Sequence, residues 1–372
     1  MTIPLVDLRA QYAALREEID AAIAAVLERG DFILGREVGA FEAAFAAFVG
    51  ARHCVGVASG TDALRLAMVG LGVGPGDEVL LPANTFIATA LAVGDAGATP
   101  VLVDIDPGTY TLDAASARRA ITPRTRAVVP VHLFGQPADM RGVIELAREH
   151  SLTIIEDAAQ AHGAVHELGR VGTLGAASGF SFYPGKNLGA YGDGGAITTD
   201  DDALAERLRT LRNWGSTVKY EHPVRGFNSR LDTLQAAILL VKLRHLDDAN
   251  RRRRVVAGWY DELLAPLGDR VARPRVAGWT REHVYHLYVV RLRDADRDLV
   301  LSRLHAAGIG AGVHYPRPIH LQGAYADLGH GPGDFPEAEA AAREILSLPM
   351  YPELTRDMVA EVVCALEAAL GR

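Results

Sequence analysis

The stretch SFYPGKNLGAYGDGG, Ser181 to Gly195, sets one lysine among glycines, small residues and aromatics. A lysine amine in water is protonated, with a pKa of about 10.4, and is then no nucleophile. Condensation with a carbonyl group turns it to use, because the resulting imine carbon is activated. Such a lysine needs a fixed position and a backbone that can pass close to a flat partner. Pro184 supplies stiffness and the surrounding glycines supply close approach. A plain surface turn with an exposed Lys186 satisfies the same local pattern.

Three further stretches bear on the choice. EDAAQAH, at the end of the predicted strand LTII, brings Asp157, Gln160 and His162 to a strand's C-terminal edge. A carboxylate there can pair with a protonated pyridine nitrogen, or Asp157 can simply cap a helix. ASGTDAL reads as a strand end, small residues and a helix start, so the N–H groups near Gly60 and Thr61 are free to bind a phosphate or belong to an ordinary capped helix. PANTFIA again follows a strand, and Phe86 is either a ring that stacks on another flat ring or a core residue. A phosphate cradle, a stacking ring, an acid for a ring nitrogen and an amine, all following predicted strands, together describe a site for pyridoxal 5'-phosphate (PLP).

The elements that must position these groups follow from periodicity. AALREEIDAAIAAVLERG and GAFEAAFAAFVG read as amphipathic helices, the first ending at Gly30. Seven strand candidates come next: VGVAS, EVLLPA, TPVLVDID, RAVVPVHLF, LTIIEDA, SGFSFY and GAITTD. Helical stretches such as Thr61 to Gly70 and Met140 to His150 lie between them, which predicts an α/β layer architecture with a mostly parallel sheet. Ligands of such sheets bind beyond the strands' C-terminal ends. After about residue 230 a long helical region is expected, bent near Asn250. It is followed by the strand VYHLYVVRL, the helix RDLVLSRLHAAG, the strand IGAGVHY and two terminal helices. The boundary is set near residue 248, giving a large PLP-binding domain over 1–248 and a small α+β C-terminal domain over 249–372.

Composition narrows the function classes. The chain has 372 residues, 49% hydrophobic, with a formal net charge of -8. That balance argues against nucleic acid or an anionic membrane as the main partner, and Arg251 to Arg254 is too short a basic run to reverse it. Cys54 and Cys364 lack metal or CxxC spacing, so a reducing, cytoplasmic setting fits. No signal peptide and no apolar run of about 18 residues is seen. His132, His162, His286, His314 and His320 show no metal pattern, and no metal is expected. GVGPGD follows a helix and precedes a strand, the wrong context for a dinucleotide loop.

SGTDAL, PANTFIATALAV, VHLFGQPADM, EDAAQAHGA, SFYPGKNLGAYGDGGAI and GFNSRLDTLQAA resemble, in order and over essentially the whole chain, the DegT/DnrJ/EryC1/StrS family of PLP-dependent nucleotide-sugar aminotransferases. The forms FYPGKNLG and HYPRPIH look most like the branch that aminates C3 of dTDP-3-keto-6-deoxyhexoses. Neighbouring branches act on UDP-linked 3-keto sugars or at C4. The resemblance implies the fold-type-I architecture, a mixed seven-stranded sheet plus a small C-terminal domain. It implies that Lys186 is the Schiff-base lysine, Asp157 the partner of the pyridine nitrogen and Gln160 the neighbour of the phenolic oxygen. Phe86 takes the stacking place, Gly60, Thr61 and Ser181 the phosphate. Asn228 is implied to reach the cofactor phosphate of a neighbouring subunit, hence a homodimer with composite sites. Tyr183, His314, Tyr315 and His320 lie where the branch places sugar or diphosphate contacts. Pro316 and Pro318 would hold HYPRPIH extended, so that alternate side chains face a cleft, or the segment is a packed loop between domains. Arg230 is a candidate anchor for a carboxylate or phosphate, or one end of a salt bridge in a dimer. L-glutamate is the expected amino donor. Two rivals remain: an NAD-dependent keto-sugar oxidoreductase, which should carry a GxGxxG between strand and helix, and a non-catalytic sugar-nucleotide sensor, which would not need the lysine, acid and stacking set.

Overall fold

The computed structural model describes residues 2–371. Two helices open the chain, α1 (Leu8–Arg29) and α2 (Arg36–Val49). Gly30 ends α1 in the left-handed conformation at φ +72°, where a side chain is disfavoured. Strands and helices then alternate: β1 (His53–Val57), α3 (Gly60–Gly70), β2 (Glu78–Pro82), α4 (Ile87–Asp95), β3 (Thr99–Val103), α5 (Ala114–Arg119), β4 (Thr125–Val128), α6 (Met140–His150) and β5 (Thr153–Asp157). Two short strands, β6 (Val165–His166) and β7 (Gly169–Arg170), precede β8 (Ala177–Ser181), β9 (Gly195–Thr199) and α7 (Asp202–Arg212).

The seven strand candidates all enter one sheet, in the order β1-β9-β8-β5-β4-β2-β3. The pairs β2–β3, β2–β4, β4–β5 and β5–β8 are parallel, while β9 runs antiparallel to both β8 and β1. The sheet is therefore mixed, and β1, β8 and the parallel strands all end along one edge. β2 is buried at every position, as expected of a strand covered by helices on both faces.

The long helical region breaks at His245, between α8 (Thr233–Arg244) and α9 (Leu246–Leu264), rather than near Asn250. Asn250 sits inside α9 with its side chain buried. Its Nδ2 donates to the His162 carbonyl at 2.8 Å and its Oδ1 accepts from Asn187 at 2.9 Å. A polar residue that reads as a helix breaker is here a tie between α9 and the first sheet.

The C-terminal part contains β10 (Val271–Ala272), β11 (Thr280–Glu282), β12 (Tyr288–Leu292), α10 (Arg297–Ala306), α11 (Pro336–Glu344), β13 (Ile345–Leu348) and α12 (Arg356–Ala369). A second sheet has the order β10-β12-β13, and β11 pairs with β6 in a third. The expected strand IGAGVHY makes only single bridges, Ile3 to Ile309 and Gly312 to Ser347. The partner of β12 is instead ILSL, within a segment read as helical. Four apolar residues fit either state locally, and pairing with β12 decides. The core here stacks Tyr260 on Tyr288 with ring centroids 4.7 Å apart. Ile3 joins it from the far end of the chain.

Candidate active site

A cavity of about 690 Å³ opens over the common strand edge. Lys186, Asp157, Gln160, Gly60, Thr61 and Ser181 line it, as do Phe86, Tyr183, His314 and Tyr315. Residues that were up to 255 positions apart (Gly60 to Tyr315) are thus gathered because their strands end together.

Lys186 lies in the loop between β8 and β9. That loop is held at several points. The Lys186 N–H donates to the Tyr183 carbonyl at 2.8 Å and Ala190 N–H to Phe182 at 2.8 Å. Lys242 Nζ donates to the Gly189 carbonyl at 2.7 Å. Gly189 has no room for a side chain, since a Cβ would fall 2.2 Å from the Pro184 carbonyl oxygen. Among the described residues no hydrogen bond reaches Lys186 Nζ. Burial lowers its pKa to about 8, against the opposing pull of the Asp157 carboxylate.

Asp157 closes β5. Its Oδ2 accepts from Thr89 Oγ1 at 2.7 Å and its Oδ1 from the Ala159 N–H at 3.1 Å. Burial nevertheless pushes its pKa up, with those two bonds and the nearby Lys186 pulling the other way. The carboxylate is thus short of positive or N–H partners. Thr89 was missed by the sequence reading. Its signal was its place in the first turn of α4, three residues after Phe86 in PANTFIATA.

Gln160 Oε1 accepts from the Phe134 N–H at 2.7 Å, which turns its Nε2 to Tyr315 Oη at 3.1 Å. The Phe86 and Tyr315 rings lie 5.2 Å apart at 36°. Ser59 caps α3, its Oγ accepting from the Asp62 N–H, so the N–H groups of Gly60 and Thr61 remain free toward the cavity. A Cβ on Gly60 would fall 2.5 Å from Ser181 Cβ, so only glycine lets the helix start and the end of β8 form one cradle.

Three expected site residues lie elsewhere. His320 is buried, with Nε2 3.1 Å from Glu339 Oε1 and its ring 4.8 Å from Phe335. The expectation of a substrate contact at His320 is corrected, because Pro318 leads into a short helical turn that directs it into the C-terminal packing. Asn228 bridges Asn213, and Arg230 Nη1 donates to Asn213 Oδ1 at 3.3 Å. Neither lines the cavity of its own chain.

Residues 13–367 match the family described as DegT/DnrJ/EryC1/StrS aminotransferase. The chain belongs to that family. It is 51% identical over 364 residues to dTDP-3-amino-3,4,6-trideoxy-alpha-D-glucose transaminase of Streptomyces venezuelae, covering 98% of this chain and 95% of that one. It is 51% identical over 368 residues to the erythromycin biosynthesis sensory transduction protein EryC1 of Saccharopolyspora erythraea, covering 99% of this chain and 100% of the other. Among solved structures, S. venezuelae DesV in complex with a ketimine intermediate superposes with a TM-score of 0.96 at 51% identity, covering 100% and 99% of the two chains. NtdA from Bacillus subtilis with bound cofactor PMP superposes with a TM-score of 0.90 at 34% identity, covering 96% and 82%. The protein is an aminotransferase of fold type I, from a family that uses PLP.

Proposed function

We propose that the protein moves an amino group from L-glutamate to C3 of a dTDP-linked 3-keto-6-deoxyhexose, with PLP held in the cavity. The observation that carries this reading is one cavity containing an amine of lowered basicity, a buried carboxylate short of partners and a helix start with free N–H groups. Identity of 51% to a dTDP-3-amino sugar transaminase supports the choice of sugar.

The residues fit the cofactor. Asp157, oriented by Thr89, would meet the protonated ring nitrogen and gain the cation it lacks. Gly60, Thr61 and Ser181 would hold the phosphate, Phe86 would cover the ring, and Gln160 would face the phenolic oxygen. When bound, PLP supplies an electron sink for carbanion charge and a carrier for the amino group. Lys186 Nζ, in its unprotonated form, would take the proton from the donor's α-carbon, hold it as an ammonium, and give it up to the cofactor carbon that keeps the amino group. It runs this transfer in reverse for the sugar. Tyr183, His314 and Tyr315 line the mouth where the sugar would enter.

A second copy of the chain belongs to the reading. Among the described residues lining the cavity, Lys186 is the only lysine or arginine, yet glutamate brings two carboxylates and the nucleotide a diphosphate. Trp214, Val218, Tyr220 and Val224 expose apolar surface just before Asn228 and Arg230. Pairing of two copies through this surface would cover it and bring the partner's Asn228 and the partner's Arg230 to the open end of the site.

The test is to add L-glutamate to the PLP-loaded protein, follow the loss of imine absorbance and 2-oxoglutarate release, and then offer dTDP- and UDP-linked 3-keto and 4-keto sugars, reading products by mass and NMR. A 3-amino dTDP sugar is expected, and Lys186→Ala should form none. Absence of 2-oxoglutarate, or turnover by the alanine variant, overturns the reading. The sensor alternative finds an echo in the names of two relatives, the sensory transduction protein EryC1 and a pleiotropic regulatory protein of Geobacillus stearothermophilus 48% identical over 364 residues, and steady product formation excludes it.

A further inference from the structure

His286 lines the cavity beside Lys186 and none of the roles above uses it. Its surroundings fix which ring nitrogen carries the proton. Asn187, the residue after Lys186, donates both N–H bonds of its amide to oxygen: one to Asn250 Oδ1 at 2.9 Å, the other to the Val284 carbonyl at 2.9 Å. The amide oxygen is therefore the end that faces His286 Nδ1, at 3.2 Å. An amide oxygen accepts only, so Nδ1 must carry the hydrogen. Nε2 is left with a lone pair and, among the described residues, has no protein partner.

The backbone that carries the ring is held on both sides. Val284 N–H donates to the Gly135 carbonyl at 3.0 Å, and Gly135, at φ +96°, passes so close that a Cβ there would lie 2.8 Å from the His286 backbone nitrogen. Arg253 Nη1 donates to the Tyr285 carbonyl at 3.1 Å and the Met350 carbonyl at 3.0 Å, pinning the next turn of chain. Burial and the facing Lys186 ammonium, with Arg253, His314 and His162 adding to them, hold the imidazole neutral well below its ordinary range. It is a poor base for that reason, but a good fixed acceptor.

We infer that His286 is a specificity-determining residue, whose Nε2 accepts a hydrogen bond from a hydroxyl next to the keto carbon of the acceptor sugar. The inference rests on the sugar aminotransferase reading. A lone pair repels the carboxylates of the amino donor and favours an O–H group, which the keto sugar has and glutamate lacks. His286 thus acts on the second half-reaction and little on the first.

Two measurements decide it. Long-range ¹H–¹⁵N NMR of the protein with ¹⁵N-labelled histidine should show His286 neutral and protonated at Nδ1; protonation at Nε2, or a charged ring near pH 7, overturns the inference. Single-turnover kinetics then compare wild type, His286→Phe and His286→Gln. The phenylalanine variant leaves a buried hydroxyl without an acceptor, so kcat/KM for the keto-sugar half-reaction should fall about 10- to 100-fold, while the glutamate half-reaction slows about threefold at most. Gln, which keeps an acceptor, should recover part of the loss. With sugar analogues lacking the hydroxyl at C2 or at C4, one of the two should erase the difference between wild type and the phenylalanine variant. Equal losses in both half-reactions, or a difference that survives both analogues, overturns the role. If wild type processes glutamate but no keto sugar, the substrate reading fails instead, and the NMR result still decides the tautomer.

Discussion

Asp157→Asn separates the two things this carboxylate does, and they move in opposite directions. With a pKa of about 8, about 9% of Lys186 is unprotonated at pH 7, against about 0.04% for a lysine at about 10.4. That is a gain of about 200-fold in free amine from burial. The Asp157 carboxylate works against it, because a nearby negative charge favours the ammonium form. Removing the charge lowers the midpoint further. A fall of about one pH unit, the low end for an adjacent opposite charge, brings about half the amine to the free form at pH 7. Turnover should nevertheless fall by about 100-fold or more, since the ring nitrogen loses its charged, buried partner. The assay is competitive acylation of the cofactor-free protein across about pH 6 to 11, a range that spans the midpoints of about 8 for Lys186 and about 10.4 for an ordinary lysine, with the Lys186 peptide quantified by mass spectrometry. A wild-type labelling midpoint near that of ordinary lysine, or one that rises in the asparagine variant, refutes the reasoning.

Glu156→Gln should cost about 3 kcal/mol or more in urea unfolding, because the amide nitrogen, whichever oxygen it replaces, faces donors: His132 and Gly172 at the Oε2 position, or Leu174, Gly175 and Ser178 at the Oε1 position. Its folded pKa is lowered, so its stabilisation is present above the unfolded carboxylate value of about 4.3 and is lost as pH falls through the folded value; the variant should lack this acid-sensitive component, and equal stability and equal acid profiles would contradict the assignment. Gly60→Ala should weaken PLP binding about tenfold or more, by prising the start of α3 from Ser181 at a cost of about 1–3 kcal/mol. Absorbance titration of the cofactor-free protein checks this, and unchanged affinity would sink it.

Much of the site could be read in the sequence because it is local to strand ends. Asp157, Phe86, Gly60 and Ser181 each follow an apolar run whose end is visible, and a parallel sheet sends all such ends to one edge. What escaped depends on contacts between distant segments. Thr89 and Asp157 are 68 residues apart, and only the packing of α4 beside β5 shows their hydrogen bond. Asn187 and His286 are 99 apart and meet through the same long-range packing. His320 misled for the complementary reason: two prolines forecast an extended chain with alternating sides, but the chain turns after Pro318 and buries the ring against Glu339. ILSL escaped because a short apolar run has no period long enough to separate strand from helix.

The neighbouring carboxylates Glu156 and Asp157 show how one strand end builds both a support and a reactive floor. Successive strand residues point to opposite faces of the sheet. Glu156 meets five donors on its side, and although burial pushes its pKa upward, the His132 imidazole, the Gly172 N–H and the Ser178 hydroxyl hold it below the ordinary value. Asp157 meets two donors on the cavity side, and burial wins. A residue with every lone pair answered has nothing left to offer a ligand; one left short is stabilised by whatever brings a cation to it. The same contrast applies to the two lysines of lowered pKa. Lys242 donates to Gly189 and lies 4.1 Å from the Tyr191 ring centroid, so its amine is engaged in holding the loop. Lys186, three residues from that anchor, has no such partner and faces the cavity. Reactivity here resides in the groups the fold leaves unsatisfied, next to those it satisfies fully.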